Sequence, residues 1–266
     1  MSSTALEAEY RSSWRLLQQM GLRAMNCGYL RSADDTFYGH QQSLIWRMLE
    51  HTPVGPDSVV LDVGCGIGGP TAWVFERFHP RLTVGLDYCG SSVKAAEASW
   101  AGRSPRPYFL QADAHHLPIQ SASVDVILSC ESALHYRDKI AFLRECRRVL
   151  KPAGHLCLAD ITANSPRVWA LLTRLAGGLV RLWSRKQYLA ALPACGFEVL
   201  WHEQASSPVA AALRAGYAEV ARLKASVNGA PLLARDVRRR ALFLRGLQLL
   251  LRLQALTYDL FTARAR

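Results

Sequence analysis

The sequence predicts an α/β fold built on a doubly wound, mostly parallel sheet of seven strands. Between residues 58 and 160, short apolar runs alternate with stretches of helical periodicity, which is the rhythm of βαβ units. The first of these runs enters a glycine-rich turn that opens directly into a helix. With 266 residues, the chain is long enough for one large domain with helical additions.

The individual elements follow from local patterns. Apolar runs predict strands at Val59–Val63, Leu82–Asp87, Tyr108–Ala112, Val124–Ser129, His155–Asp160, Phe197–Ala205 and Leu256–Ala263. Helical spacing predicts the intervening helices at Pro70–Phe78, Ser91–Trp100, Lys139–Leu150 and Lys186–Ala194. Because Pro and Gly interrupt regular structure, Lys151–Gly154 predicts a stop and a turn before the fifth strand.

Further helical segments flank this alternation. Periodicity over Ser12–Met25 and Gln41–Glu50 predicts an N-terminal helical cap spanning residues 1–52, with residues 53–266 as the main domain. Within that domain, residues 164–192 and 208–254 are predicted to form a helical lid and a helical insertion before the last strand. The apolar residues of the lid indicate a wall for a bulky apolar substrate, or else a helix packed on the sheet with its arginines in water.

The net charge of +11 is unevenly distributed. Residues 166–266 hold 16 Lys and Arg against 5 Asp and Glu, whereas residues 1–165 are balanced. A uniformly basic nucleic-acid binder is therefore not expected. Basic amphipathic helices fit the pattern better, and their partner would be an acidic carrier protein or an anionic membrane surface; a solvated face is the alternative.

Cysteine usage and the apolar runs suggest the compartment. Seven cysteines without a Cys-x-x-Cys pair indicate reduced thiols rather than a disulfide or zinc framework. The first residues have no signal-peptide core, and Val168–Trp183, interrupted by Arg174 and Arg181, is too short to span a bilayer. The sequence thus predicts a cytoplasmic protein with no transmembrane segment.

The glycine-rich turn and three acidic residues indicate a nucleotide-like ligand. Asp87 closes the second strand, 23 positions after Gly64, where a carboxylate accepts hydrogen bonds from ribose hydroxyls. Asp62 beside the turn would repel a diphosphate and attract an ammonium group, which favours a ligand with an amino-acid tail over a dinucleotide. Asp113 follows the third strand, where it can accept from an adenine amine.

The stretch from Val59 to Asp160 resembles a class I S-adenosylmethionine (SAM)-dependent methyltransferase. Leu61–Gly69 is similar to the first motif of that family, and Arg147–Gly154 to the turn before its fifth strand, with Ala153 where glycine is commoner. The resemblance implies a Rossmann-like fold, SAM as cofactor and S-adenosylhomocysteine (SAH) as product. It implies cofactor contacts from Asp62, Gly64, Cys65, Gly66, Gly68, Asp87, Tyr88, Asp113, Ala114 and Cys130.

Residues 26–29 look like the N-terminal gate of the small-molecule members of this family, which act on natural products and lipids. Tyr29 would then close over the cofactor, or it would simply pack within the cap. Both interpretations remain open at the level of the sequence.

The segment after the fourth strand is where substrate chemistry is expected. Glu131-Ser-x-x-His135 resembles the same place in sterol and tocopherol methyltransferases and in polyketide O-methyltransferases, and the signature of base-methylating enzymes is absent. His135 is the candidate general base, because its pKa lies near working pH; a histidine that merely caps the next helix or bonds a carbonyl is the alternative. Glu131 would pair with His135, contact the cofactor amine, stabilise a cation or serve a structural role.

No metal site is expected, because His115 and His116 have no third ligand at suitable spacing.

The sequence therefore predicts SAM-dependent methylation of a hydroxyl on a small, largely apolar metabolite, such as a polyketide. C-methylation of an isoprenoid or enol is one alternative. A SAM-binding scaffold that catalyses a different reaction, such as cyclisation, is another.

Overall fold

The computed structural model describes residues 21–32, 36–175, 179–226 and 231–266. Within them the chain forms one seven-stranded sheet in the order β3-β2-β1-β4-β5-β7-β6, which confirms the predicted α/β class. The strands are β1 (Val59–Val63), β2 (Leu82–Asp87), β3 (Tyr108–Gln111), β4 (Val124–Cys130), β5 (Leu150–Thr162), β6 (Phe197–Gln204) and β7 (Thr257–Ala265).

Helices lie between and around the strands. They are α1 (Phe37–Leu49), α2 (Gly69–Phe78), α3 (Gly90–Ser99), α4 (Lys139–Val149), α5 (Pro166–Leu175), α6 (Arg185–Ala194), α7 (Ser206–Ser226) and α8 (Pro231–Arg252), with a 3₁₀ turn at Ala133–His135. No helix of the described residues is long and apolar enough to cross a membrane.

The sheet is parallel from β1 to β5, and β7 runs antiparallel between β5 and β6. All five residues of β1 are buried, because helices cover both faces of the sheet and a strand in its middle meets no water. The core consequently divides into two large clusters, one containing Val60 and Leu128 and the other Leu61 and Ile127.

The start of β5 differs from the prediction. The strand begins at Leu150, and the segment Lys151–Gly154 lies within it as an irregularity rather than a separate turn. Ala153 has a φ of +61°, and Lys151 Nζ bonds both carboxylate oxygens of Asp125 on β4 at 2.8 Å. The strand therefore begins before the predicted turn, although Lys151–Gly154 make no register pair with β4. Leu150 lies opposite Val124 and His155 opposite Val126, so the segment bulges opposite Asp125.

The described part of the predicted cap is integrated with the sheet. Helix α1 begins at Phe37, where Thr36 accepts a capping hydrogen bond from the Gly39 N–H at 3.1 Å. Its residues Leu44 and Ile45 are fully buried and belong to the same core cluster as Val60. Residues 21–32 form no helix, and most of the predicted Ser12–Met25 helix lies outside the described residues.

Helices α7 and α8 occupy the predicted insertion and pack against each other. Helix α7 also crosses α1 at Gly216, where a Cβ would lie 2.8 Å from two ring carbons of the buried Phe37. The close approach of these two helices therefore depends on the missing side chain.

We expect Gly216→Ala to lower the free energy of unfolding by about 1–3 kcal/mol, because the enclosed ring of Phe37 would have to move. Urea denaturation measures this change. Gly246→Ala in α8 is the matched control: nothing lies within 4 Å of its added Cβ, so it should be neutral or stabilise the helix by up to about 1 kcal/mol. Equal losses in the two variants would contradict the packing argument.

Candidate active site

The sheet order reverses between β1 and β4, and this switch point positions the candidate site. In open α/β sheets a crevice forms beyond the carboxyl ends of the two strands where the order reverses. The glycine turn follows β1, and the segment from Cys130 to His135 follows β4. The two motifs that the sequence marks for cofactor and substrate therefore meet at one edge.

Ser132 joins the two strand ends. Its hydroxyl donates to the Val63 carbonyl at 2.9 Å and accepts from the Tyr136 hydroxyl at 3.0 Å. Gly64 has a φ of +84°, and a Cβ there would lie 2.2 Å from the Cβ of Ser132. Gly64 thus lacks a side chain because Ser132 fills that space.

The protein's own side chains also pack against the rest of the glycine turn. A Cβ on Gly68 would lie 2.6 Å from the ring of Phe109, and Cys65 is buried in the same cluster as Phe109 and Ala72. Gly66 has a φ of +57°. At Gly64 and Gly68, therefore, a Cβ would collide with the protein's own side chains, so packing as well as the positive φ requires glycine there.

Asp87 connects the turns that follow β1 and β2. One carboxylate oxygen accepts from the Gly66 N–H and the other from the Cys89 N–H, both at 2.8 Å. Burial raises the pKa of Asp87, against the effect of these two hydrogen bonds. Tyr88 is 48% exposed at the same strand end.

Asp62 is the buried carboxylate of the site. It accepts from the Thr71 hydroxyl at 2.6 Å, and burial raises its pKa to about 7, with a smaller contribution from the charge of Asp87. The ionised form is therefore destabilised at this position. A cation bound nearby would relieve that penalty.

Asp113 lies in a more exposed environment beyond β3. It accepts from the backbone N–H of His115 at 2.9 Å and pairs with its ring Nδ1 at 2.6 Å. Burial opposes ionisation, but the hydrogen bonds from His115 outweigh it and lower the pKa of Asp113. Ala114 beside it is buried.

The three carboxylates test whether the site fits the implied cofactor. Asp62, Asp87 and Asp113 stand at or just beyond the carboxyl ends of the neighbouring strands β1, β2 and β3. Ionised carboxylates only accept hydrogen bonds. Such a set fits a ligand with an ammonium group, a ribose diol and an adenine amine, and it opposes a diphosphate. The acceptor chemistry of the three carboxylates therefore agrees with SAM. Their individual contacts with it are predictions.

Glu131 is held by residues outside its own segment. It has a φ of +50°; its Oε1 accepts from the Cys27 N–H at 2.7 Å and from the Tyr258 hydroxyl at 2.8 Å, and its Oε2 accepts from Cys27 Sγ at 3.2 Å. Burial raises the pKa of Glu131. The expected pairing with His135 is thus not what the structure shows.

His135 has a defined tautomer. Its Nδ1 lies 2.7 Å from the carbonyl of Leu179, and a carbonyl only accepts, so Nδ1 carries the proton and Nε2 the lone pair in the neutral ring. Burial lowers the pKa of His135, so the ring is neutral at physiological pH. This is the state required of a general base.

The predicted lid segment is hydrogen-bonded to the 3₁₀ turn that contains His135. The N–H of Arg181 donates to the Leu134 carbonyl at 2.6 Å, and the buried Lys139 donates to the Arg181 carbonyl at 2.6 Å. Leu182 is buried, whereas Arg181 points into solvent. The side chains of Trp169, Leu172 and Leu175 lie outside the described ones, so the apolar wall is defined here only by its second half.

Tyr29 is placed away from the glycine turn. Its hydroxyl donates to Glu203 on β6 at 3.0 Å, and its N–H donates to the His40 carbonyl at 2.8 Å. Strand β6 lies three strands beyond β4 in the sheet. This geometry agrees with packing within the cap, and it is Cys27 from the same segment that reaches the site.

Sequence reasoning missed two participants and underestimated one. Cys27 and Tyr258 hold Glu131, and Tyr258 comes to it only through the pairing of β7 with β5. Asp160, which the sequence marks only as the end of the fifth strand, is fully buried; it accepts from the Tyr188 hydroxyl at 2.5 Å, and burial raises its pKa to about 6. Burial of a carboxylate cannot be read from its neighbours in the chain.

Cys130 ends β4 beside Glu131, and burial raises the pKa of its thiol. Its thiol is therefore protonated and behaves as a small packing group. Within the described ranges, no three His, Cys, Asp or Glu side chains are grouped to hold a metal ion.

Comparisons with known proteins agree with this geometry. Residues 61–158 match the protein family described as "Methyltransferase domain". Methyltransferase GfsG of Streptomyces halstedii is 32% identical over 164 residues, which cover 58% of this chain and 57% of that protein. The chain spans about half the length of the curated relatives it matches.

Solved structures share the fold over almost the whole chain. The mycolic acid cyclopropane synthase CmaA1, solved with SAH, superposes with a TM-score of 0.82 at 21% identity, covering 96% of this chain and 95% of its own. The [4+2]-cyclase SpnF superposes with a TM-score of 0.80 at 24% identity, covering 99% and 96%. Residues 61–158 therefore match a methyltransferase domain, and the chain shares its fold with these solved structures.

Proposed function

We propose that this protein transfers the methyl group of SAM to a hydroxyl of a small, largely apolar metabolite. The observation that carries the proposal is His135, a buried, neutral imidazole whose tautomer is fixed by the Leu179 carbonyl. A hydroxyl is a weak nucleophile until its proton is removed, and a neutral imidazole removes it at physiological pH. The match to a methyltransferase domain supports the reaction class.

Several residues would hold the cofactor. Asp87 and Asp113 would accept from the ribose hydroxyls and the adenine amine, while Asp62 would face the ammonium group. When bound, SAM supplies an electrophilic methyl carbon on a sulfonium. His135 Nε2 would receive the proton of the attacking hydroxyl, and the lid segment at Leu179–Trp183 would exclude water from it.

C-methylation is the second candidate, and the surroundings of Glu131 favour it. Among the described residues, its buried carboxylate is held by hydrogen bonds from Cys27 and Tyr258, and the charge of Arg240 partly offsets its burial. Such a group can stabilise positive charge that develops on an alkene. A scaffold that binds SAM and catalyses a cyclisation is a third, since the fold is shared with SpnF.

Asp87→Asn should weaken SAH binding by at least about tenfold, because one carboxylate oxygen becomes an amide donor facing backbone N–H groups. Thermal shift with added SAH measures the effect against each variant's own ligand-free melting temperature. Asp57→Asn, at an exposed site, is the control. Wild-type affinity in Asp87→Asn would remove this residue from the cofactor site.

SAH affinity should rise by about tenfold between pH 6 and pH 8. The raised pKa of Asp62, about 7, means that the carboxylate holds a proton at pH 6 and must lose it to pair with an ammonium group. Titration calorimetry at the two pH values measures this rise. Asp62→Asn should abolish it, Asp57→Asn should keep it, and an unchanged pH dependence in Asp62→Asn would contradict the assignment.

His135→Ala should lower kcat by about 10²–10⁴-fold while leaving SAH affinity within about twofold. His155→Ala, on the early part of β5, is the matched control. Because burial lowers the pKa of His135, kcat of the wild type at saturating SAM should fall only below the usual pKa range of histidine. Mass spectrometry of products from hydroxylated apolar acceptors gives the rate, and NMR of the product distinguishes O-methyl from C-methyl.

The same assay separates the candidates. If Glu131→Gln loses far more activity than His135→Ala and the methyl group is on carbon, C-methylation replaces the proposal. If SAH binds and no acceptor is methylated while a polyene is cyclised, the cyclase alternative replaces it.

A further inference from the structure

The outer face of α8 presents apolar side chains to solvent. Leu242, Leu249 and Leu253 are 66%, 54% and 67% exposed. Leu242 and Leu249, seven residues apart, lie on one line along the helix, since each residue advances 100°. Leu253 follows in the turn immediately after the helix. Three large aliphatic groups in a row are a patch rather than scattered surface residues.

The fold does not need this face. The opposite side of α8 supplies Val237, Leu244, Leu247 and Leu251, all buried in the core cluster under the sheet. The helix therefore already has a complete apolar face for folding. Its outer leucines are additional and contribute nothing to the core.

Arginines border the exposed leucines on both sides. Arg238, Arg245 and Arg252 repeat every seven residues along one side of the row, and Arg239 lies on the other side. Helix α7 adds the exposed Arg214 and Arg222. Among the described side chains of α7 and α8, every exposed charged group is an arginine.

We propose that the outer face of α8 docks in the plane of an anionic lipid surface. In such a helix the apolar row enters the boundary of the acyl chains, and the flanking arginines reach the phosphates while their alkyl stems stay in contact with the apolar layer. The charges are of one sign and complementary to that surface. This proposal is independent of the reaction that the protein catalyses.

The arrangement favours a membrane over an acidic protein. An acidic protein partner would engage the arginines, but it would also need an apolar groove shaped to the central row of leucines on a convex helix. A bilayer surface is planar, fluid and apolar beneath its phosphates, so it uses both features together. The row and its arginines run in parallel along two to three turns of one helix, as docking in a plane requires.

Co-sedimentation of the full chain with vesicles tests the proposal. Wild type should partition at least about tenfold more strongly onto phosphatidylcholine vesicles with about 30% phosphatidylglycerol than onto pure phosphatidylcholine, and less so at high salt. Leu242→Gln with Leu249→Gln should reduce the partition, as should Arg238→Gln with Arg245→Gln, each by about tenfold or more. Leu200→Gln on β6 and Arg144→Gln on α4, exposed residues of the same types, should leave it unchanged.

Other outcomes would overturn the proposal. Absence of binding to anionic vesicles would do so, as would binding that the α8 variants leave intact. Concentration-dependent self-association in light scattering, lost in the leucine variant, would assign the face to a second copy of the chain. Salt-sensitive binding to polyglutamate that survives the leucine substitutions, without vesicle binding, would assign it to an acidic protein. Thermal denaturation of each variant verifies that it is folded.

Discussion

The hydrogen bond from Ser132 to the Val63 carbonyl fixes the relation between the two strand ends on which the site is built. β1 and β4 are neighbours whose following segments turn to opposite sides of the sheet, so their connections would otherwise be free to separate. Ser132 closes that gap, and its Cβ takes the space where a side chain at position 64 would stand. The glycine turn, the Tyr136 hydroxyl and the 3₁₀ turn that holds His135 all take their positions from this contact.

Burial of two carboxylates in the candidate site destabilises their ionised forms. Burial raises the pKa of Asp62 and of Asp87, which lie close enough for the charge of one to disfavour that of the other. Hydrogen bonds from Thr71, Gly66 and Cys89 offset part of this cost. A cationic ligand would offset more of it, so binding and stability are coupled through the protonation of the same carboxylates.

The two candidate catalytic side chains, His135 and Glu131, are oriented by segments that are distant in the sequence. The lid carbonyl at Leu179 sets the tautomer of His135, and Cys27 and Tyr258 from opposite ends of the chain hold Glu131. The exposed face of α8 lies apart from these contacts, since its buried face alone supplies the core.

The sequence by itself determined the α/β class, the order of the elements and the position of the glycine turn, because periodicity, turn residues and strand-end carboxylates are local properties of the chain. It could not reveal that Lys151 pairs with Asp125 across a bulge in β5, or that Ser132 fills the space where a side chain at position 64 would stand. The tertiary structure decided which partners hold Glu131, which protonation state burial gives to Asp62 and His135, and that Tyr29 turns to Glu203. These depend on strand register and desolvation, which arise only when distant parts of the chain pack together, as do Cys27 and Glu131, which are 104 positions apart.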